Sequence, residues 1–227
     1  MNFDFANGAT TVVGDVTFTA SAGSFTIQSD SNGVLKIGDI DNQSTALQIF
    51  DLELEFQNKE TVLAGGPVQF NQAITTKTGN TELTFSGNSE IIAGNNNIFD
   101  GSIDLFLNGT TLDLSDTTQF FSSISVSGDS IIDCGGASAA LNLNILSVLG
   151  GTLTVKNWTG NPGDFAVSGA VDSTSLGNII FEGWGDATWD PTSGVLPAVV
   201  PESSTCGGYL VMASLAFHAW RRRHRSR

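Results

Sequence analysis

Along most of the chain, apolar and polar residues alternate with a period of two. Thr10 to Ala20 (TTVVGDVTFTA), Asp51 to Gln57 (DLELEFQ), Gly101 to Leu114 (GSIDLFLNGTTLDL) and Phe121 to Asp133 (FSSISVSGDSIID) interleave Val, Ile, Leu and Phe with Ser, Thr, Asn, Gly and Asp. This period collects the apolar set on one face of a pleated strand, whereas an amphipathic helix needs apolar residues at i, i+3, i+4 and i+7. Residues 1–195 therefore read as an all-β body with almost no helix. The strands are short, and turn formers separate them at Ser31-Asn32-Gly33, Gly94 to Asn97, Asn108-Gly109 and Gly128-Asp129.

Glycine-led strands recur at a longer interval. GNSEII begins at Gly87, GTTLDL at Gly109, GDSIID at Gly128 and GGTLTV at Gly150, which are 22, 19 and 22 residues apart. About twenty residues is the length of one coil of a parallel β-solenoid, in which each coil stacks its inward side chains on those of its neighbours. The expected fold is a right-handed parallel β-solenoid. An antiparallel β-sandwich is the alternative, with strands of the same appearance but turns every 8–12 residues or so. Asn95 to Asn97 suit a coil corner, because Asn tolerates left-handed backbone and can stack from coil to coil.

The character changes from about residue 151. All three tryptophans of the body, Trp158, Trp184 and Trp189, fall within LTVKNWTG and NIIFEGWGDATWDPTSGVL. One reading is an aromatic cap over the last coil, since a solenoid must close its open end. The other is a carbohydrate contact surface, with the same tryptophans as stacking platforms.

Charge narrows the partners. Up to Val200 the chain has four lysines, no arginine and no histidine against 22 carboxylates, a formal charge of 4 − 22 = −18. Nucleic-acid binding relies on Lys and Arg, so nucleic acid is excluded as a partner. Without histidine the body holds no Ser-His-Asp triad, no Cys-His pair and no imidazole ligand for zinc. Carboxylate pairs of the glycosidase kind stay open on inventory. Asp51, Glu53 and Glu55 share one strand face at period two and are candidate oxygen ligands for weak calcium binding, against the simpler reading of a solvated acidic face. Asp39 with Asp41, or Asp113, Asp116 and Asp133, would serve equally. Cys134 and Cys206 make no disulfide framework, and Cys134 reads as a small buried residue.

The chain's ending is unlike its body. Pro197 and Pro201 are expected to break regular structure in a linker over residues 196–205. Fifteen residues without formal charge follow, Cys206 to Trp220, and then Arg221, Arg222, Arg223 and Arg225. A helix over 206–220 would be roughly 22 Å long, short of the approximately 30 Å hydrocarbon core unless the bilayer thins or the arginines snorkel. The positive-inside rule puts the 221–227 tail in the cytoplasm and the acidic body outside.

Val200-Pro201-Glu202-Ser203-Ser204-Thr205, the apolar run and the terminal arginine cluster together resemble the PEP-CTERM sorting signal of Gram-negative bacteria. That family's pattern is Val-Pro-Glu-Pro-Ser-Thr, a membrane helix and an Arg-rich end; Ser203 stands where it has proline. The resemblance implies handling by an exosortase, a membrane cysteine transpeptidase, with transient residence in the inner membrane before delivery to the cell surface or matrix. NWTG, IIFEGWG and TWDP also resemble the C-terminal part of exported proteins with autotransporter-associated β-strand repeats. Bodies of that kind imply a structural or adhesive, exopolysaccharide-associated role rather than an enzyme; the alternatives are a β-helix polysaccharide lyase or hydrolase, or a carbohydrate-binding module. MNFDFANGATTVV shows neither a basic n-region nor an apolar h-region, so the expectation is that a signal peptide and further coils precede it.

Overall fold

The computed structural model describes residues 2–5, 10–20, 23–29, 33–58, 60–77, 82–136, 138–161 and 163–198. The sorting motif at 200–205, the apolar run at 206–220 and the arginine cluster lie outside the described residues. The fold is all-β and winds as a solenoid. The first four coils each contribute three strands. These are β1 Asn2–Phe5, β2 Thr10–Val12 and β3 Val16–Phe18, then β4 Phe25–Ser29, β5 Val34–Ile37 and β6 Ile40–Asn42. Next come β7 Gln48–Asp51, β8 Glu53–Phe56 and β9 Glu60–Gly65, followed by β10 Val68–Phe70, β11 Ile74–Thr76 and β12 Glu82–Ser86.

Later coils have two strands. They are β13 Glu90–Ala93 with β14 Asp104–Asn108, β15 Thr111–Asp113 with β16 Thr118–Val126, β17 Ser130–Asp133 with β18 Ala140–Val148, and β19 Leu153–Lys156 with β20 Phe165–Val167. A five-residue helix, α1 Ser173–Gly177, precedes β21 Ile179–Phe181, β22 Gly185–Asp190 and β23 Gly194–Pro197.

Strands of successive coils pair in parallel. One sheet runs β1-β4-β7-β10-β13-β15-β17-β19-β21, a second β2-β5-β8-β11, and a third has eight strands from β3 to β20, one per coil. Seven spacings of about 4.8 Å between those eight strands make a rod of roughly 34 Å. The parallel pairing decides against the sandwich, whose strands would run antiparallel.

Alternation becomes burial directly. β12 and β14 begin half-buried, buried, half-buried, buried, so that Leu83, Phe85, Leu105 and Leu107 are fully buried while Thr84 and Phe106 point outward. In register, Ile40, Leu63, Phe85, Leu107, Val126 and Val148 form one continuous inner column across six coils. Phe50 stacks on Phe70 in the next coil with centroids 5.5 Å apart, and Phe99 on Phe121 at 4.9 Å. Such offset aromatic pairs add about 0.5–1.5 kcal/mol beyond their burial.

The repeat is refined by the pairing. Ile91, Leu112, Ile132 and Val155 stack, so the true intervals are 21, 20 and 23 residues, not the 22, 19 and 22 of the leading glycines. The corners absorb the one-residue slips, with positive φ at Gly87, Asn88, Gly109 and Gly151. The next interval, Val155 to Phe181, is 26 residues, and the added length holds α1. After β21 the pairing turns antiparallel, β21 with β22 and β22 with β23. Pro197, expected to break regular structure, is the last residue of β23, where it pairs with Ala187 in a terminal strand that tolerates a missing N–H.

Candidate functional site

The sequence singles out an acidic strand, a tryptophan cluster and a terminal sorting segment. On the acidic strand, Asp51, Glu53 and Glu55 all avoid the core, but they do not share one plane. Asp51 ends β7 and belongs to the first sheet, buried Leu52 makes the bend, and Glu53 and Glu55 sit on β8 in the second. Glu55 is engaged by Lys36 one coil earlier at 2.8 Å and by Gln57 at 2.7 Å. The Lys36 and Gln57 hydrogen bonds hold its carboxyl below the usual value. Asp51 accepts from Gln72 at 3.4 Å. Among the described residues, no three of His, Cys, Asp and Glu converge.

The other calcium candidates are tied into turns. Asp113 accepts from the Ser115 N–H at 2.7 Å, Asp133 from the Gly135 N–H at 2.9 Å and from Asn157 Nδ2 at 2.7 Å, and Asp116 from the Ser138 N–H at 2.5 Å. Asp39 accepts from Asn58 at 2.8 Å. The Ser115 and Gly135 bonds close a turn within one corner, and the Asn157, Ser138 and Asn58 bonds fasten one corner to the next. Asn95 and Asn96 also link coils, by side chain to backbone: Asn95 Nδ2 donates to the Asn71 carbonyl at 2.6 Å, and Asn96 Oδ1 accepts from the Thr118 N–H at 2.7 Å, while the Asn97 N–H donates to the Thr118 carbonyl at 2.8 Å.

The three tryptophans gather at the end of the rod. Trp158 is buried, with its ring packed edge-on against Phe181 at 5.3 Å and Trp184 at 5.1 Å. Trp184 and Trp189 are half-buried against the core, and Trp189 Nε1 donates to the Val167 carbonyl at 3.1 Å. Partial ring exposure remains only at Trp184 and Trp189. Cys134 is buried as read, and burial, with Asp164 and Asp133 nearby, pushes its thiol up to about 12, so it is an inert thiol at neutral pH.

A groove that the sequence reading missed opens on the outer face of the last coils, past Phe120 and Asn142. Its signal lies in the dipeptide Phe120-Phe121. On a strand, one of two consecutive phenylalanines must face out, and Phe120 is 44% exposed while Phe121 is buried.

Compared with known protein families, with curated proteins and with solved structures, the chain matches none. Among the described residues no helix is long and apolar enough to cross a membrane.

Proposed function

We propose that this chain is an exported structural or adhesive protein of a bacterial cell envelope or extracellular matrix, associated with exopolysaccharide and without catalytic activity of its own. The observation that carries the reading is the segregation of all five arginines behind one apolar run that follows Val200-Pro201-Glu202-Ser203-Ser204-Thr205. The body sets only four lysines against 22 carboxylates, whereas residues 221–227 hold all five arginines. In this reading an exosortase handles the tail, whose 206–220 helix resides transiently in the inner membrane, with Arg221, Arg222, Arg223 and Arg225 on the cytoplasmic side.

The solenoid supports the role. It offers a stiff rod whose outer faces carry stacked polar residues, and its exposed carboxylates would draw calcium weakly. We further infer a right-handed winding, the hand that right-twisted parallel strands favour in their crossovers. The β22–β23 hairpin with Trp158, Trp184 and Trp189 acts as the cap, hiding the strand edge that would otherwise template assembly.

The decisive experiment is the C-terminal mass of the protein recovered from its native host, in membrane and extracellular fractions separately. An extracellular species ending between Pro201 and Thr205 is the expected result. An intact Arg227 end confined to the membrane fraction overturns sorting and makes the tail a permanent anchor. Polysaccharide turnover by the purified chain would instead favour a lyase or hydrolase.

A further inference from the structure

We infer that the groove on the outer face of the last coils binds a neutral, uncharged glycan chain lying along the rod axis. The groove has a volume of about 440 Å³. This is within the range of small-molecule sites, enough for a few linked sugar rings. Phe120, Asn142 and Ala166 form its floor as one outward column over three coils, in direct register. At one end Gly101 replaces a side chain that would touch Phe120, since a Cβ there would lie 3.5 Å from the Phe120 Cβ. At the other end the β22–β23 turn raises Pro191 and Thr192 as a wall. Gly194, at φ +83°, allows this by lying directly on the Phe165 carbonyl and Ala166.

The chemistry of the lining selects the ligand. Phe120 presents an apolar ring, and pyranose faces pack on such rings through their C–H groups. The Asn142 amide has no hydrogen-bond partner among the described residues. Asn144 accepts from Ser168 Oγ at 2.9 Å through Oδ1, which leaves its Nδ2–H groups for a ligand hydroxyl. No lining side chain carries a formal charge, although the body as a whole stands at −18. An anionic polymer would be repelled by that field and find no cation in the groove, whereas a neutral hexosyl chain pays neither cost.

The inference rests on the proposed function only in supposing a glycan matrix outside the cell. The test uses the purified full chain on an array of neutral α- and β-linked glucans, mannans, xylans and galactans, with polygalacturonate and alginate as anionic controls, followed by calorimetry with the best oligosaccharide. The expected result is saturable, salt-insensitive binding to a neutral chain, weakened roughly tenfold in Phe120→Ala and unchanged in Trp184→Phe. Circular dichroism of Phe120→Ala checks that this exposed substitution leaves the fold intact. Three results overturn it: no neutral glycan binds, binding follows Trp184 and not Phe120, or Phe120→Ala dissolves a dimer of the free protein. A processed, exported protein that binds no neutral glycan sinks the groove alone; binding by a chain never exported sinks the sorting alone.

Discussion

Ser175 is a hydroxyl with two obligations. Its Oγ accepts from the Val148 N–H at 2.9 Å, where β18 ends, and donates to Asp172 Oδ2 at 2.7 Å, while Asp172 caps α1 by accepting from the Thr174 and Ser175 N–H groups. Ser175→Ala leaves the buried Val148 N–H without a partner, and the expected cost is about 1–3 kcal/mol. Urea unfolding should show the lower midpoint with an unchanged m-value, and an unshifted midpoint would mean that water replaces the hydroxyl. The same cap predicts a pH response. The Ser175 hydroxyl, helped by backbone N–H groups, holds the Asp172 carboxyl below its ordinary value, and the Thr192 and Ser193 N–H groups do the same for Asp190. Lowered folded values mean that this stabilisation is complete above the unfolded Asp value of about 3.9 and is lost as pH falls through the lower folded values. Thermal midpoints measured from neutral pH downward should therefore hold from these groups until about pH 4 and drop below it. An Asp172→Asn, Asp190→Asn double variant should lose part of that acid slope, and an unaltered slope would assign acid unfolding to other carboxylates.

At the scale of elements, the same registry that stacks the core also stacks charge. Glu82 and Asp104 stand directly opposite one another in β12 and β14. Like charges facing across a strand pair are destabilising, by roughly 0.2–1 kcal/mol. Glu82→Gln should raise stability by about that amount at low ionic strength and by less in high salt, where screening already relieves the repulsion. A gain that ignores salt would point to packing instead. Ser123 Oγ, which donates to Asp104 at 2.7 Å, follows them in register with a partner in place of a third charge. Registry also explains what could be read in advance. Period two located the strands, because inward and outward sides are fixed by the pleat alone. It stumbled where polarity and period disagree. In β16, Gln119 is fully buried and Phe120 exposed, the reverse of what hydrophobicity suggests. The buried amide accepts from the Ile98 N–H at 3.1 Å and donates to the Asn95 carbonyl at 2.7 Å, so it serves corner backbone that has no strand to pair with. Strict period two through Gln119 and Phe121 was the available signal. The exact coil register was not legible, because corners with positive φ take up single-residue slips without disturbing the stacked faces. Nor was the groove, which needs Gly101, β18 and the β22–β23 turn brought together from three separate stretches.

For the whole molecule, the chief consequence of stacking is that each coil meets only its neighbours, so stability is close to a sum of local terms and can be lost from one end. In the proposed capping role, the hairpin of β22 and β23 holds that end. It continues the first sheet beyond β21, covers β20 through Gly194, and buries Val195 against the core. A side chain at position 194 meets two obstacles. The residue sits at φ +83°, which L side chains rarely adopt, and an added Cβ would run into the Phe165 carbonyl and Ala166. Gly194→Val should therefore detach the hairpin without altering any inward residue of the earlier coils. Strain of about 1–3 kcal/mol and the lost burial of Val195, about 1.5–3 kcal/mol, set the scale. Hydrogen exchange resolved along the chain is the measurement. β20 to β23 should lose protection first and β19 next, while β5 to β12 keep theirs, because no described contact carries the disturbance past neighbouring coils. The uncovered edges of β20 and β21 should also pair with other copies, seen as concentration-dependent dimers in sedimentation. Uniform loss of protection from β4 to β21 would show instead that the rod unfolds as a single cooperative unit. The hairpin would then be part of one global fold and not a separable closure at its end.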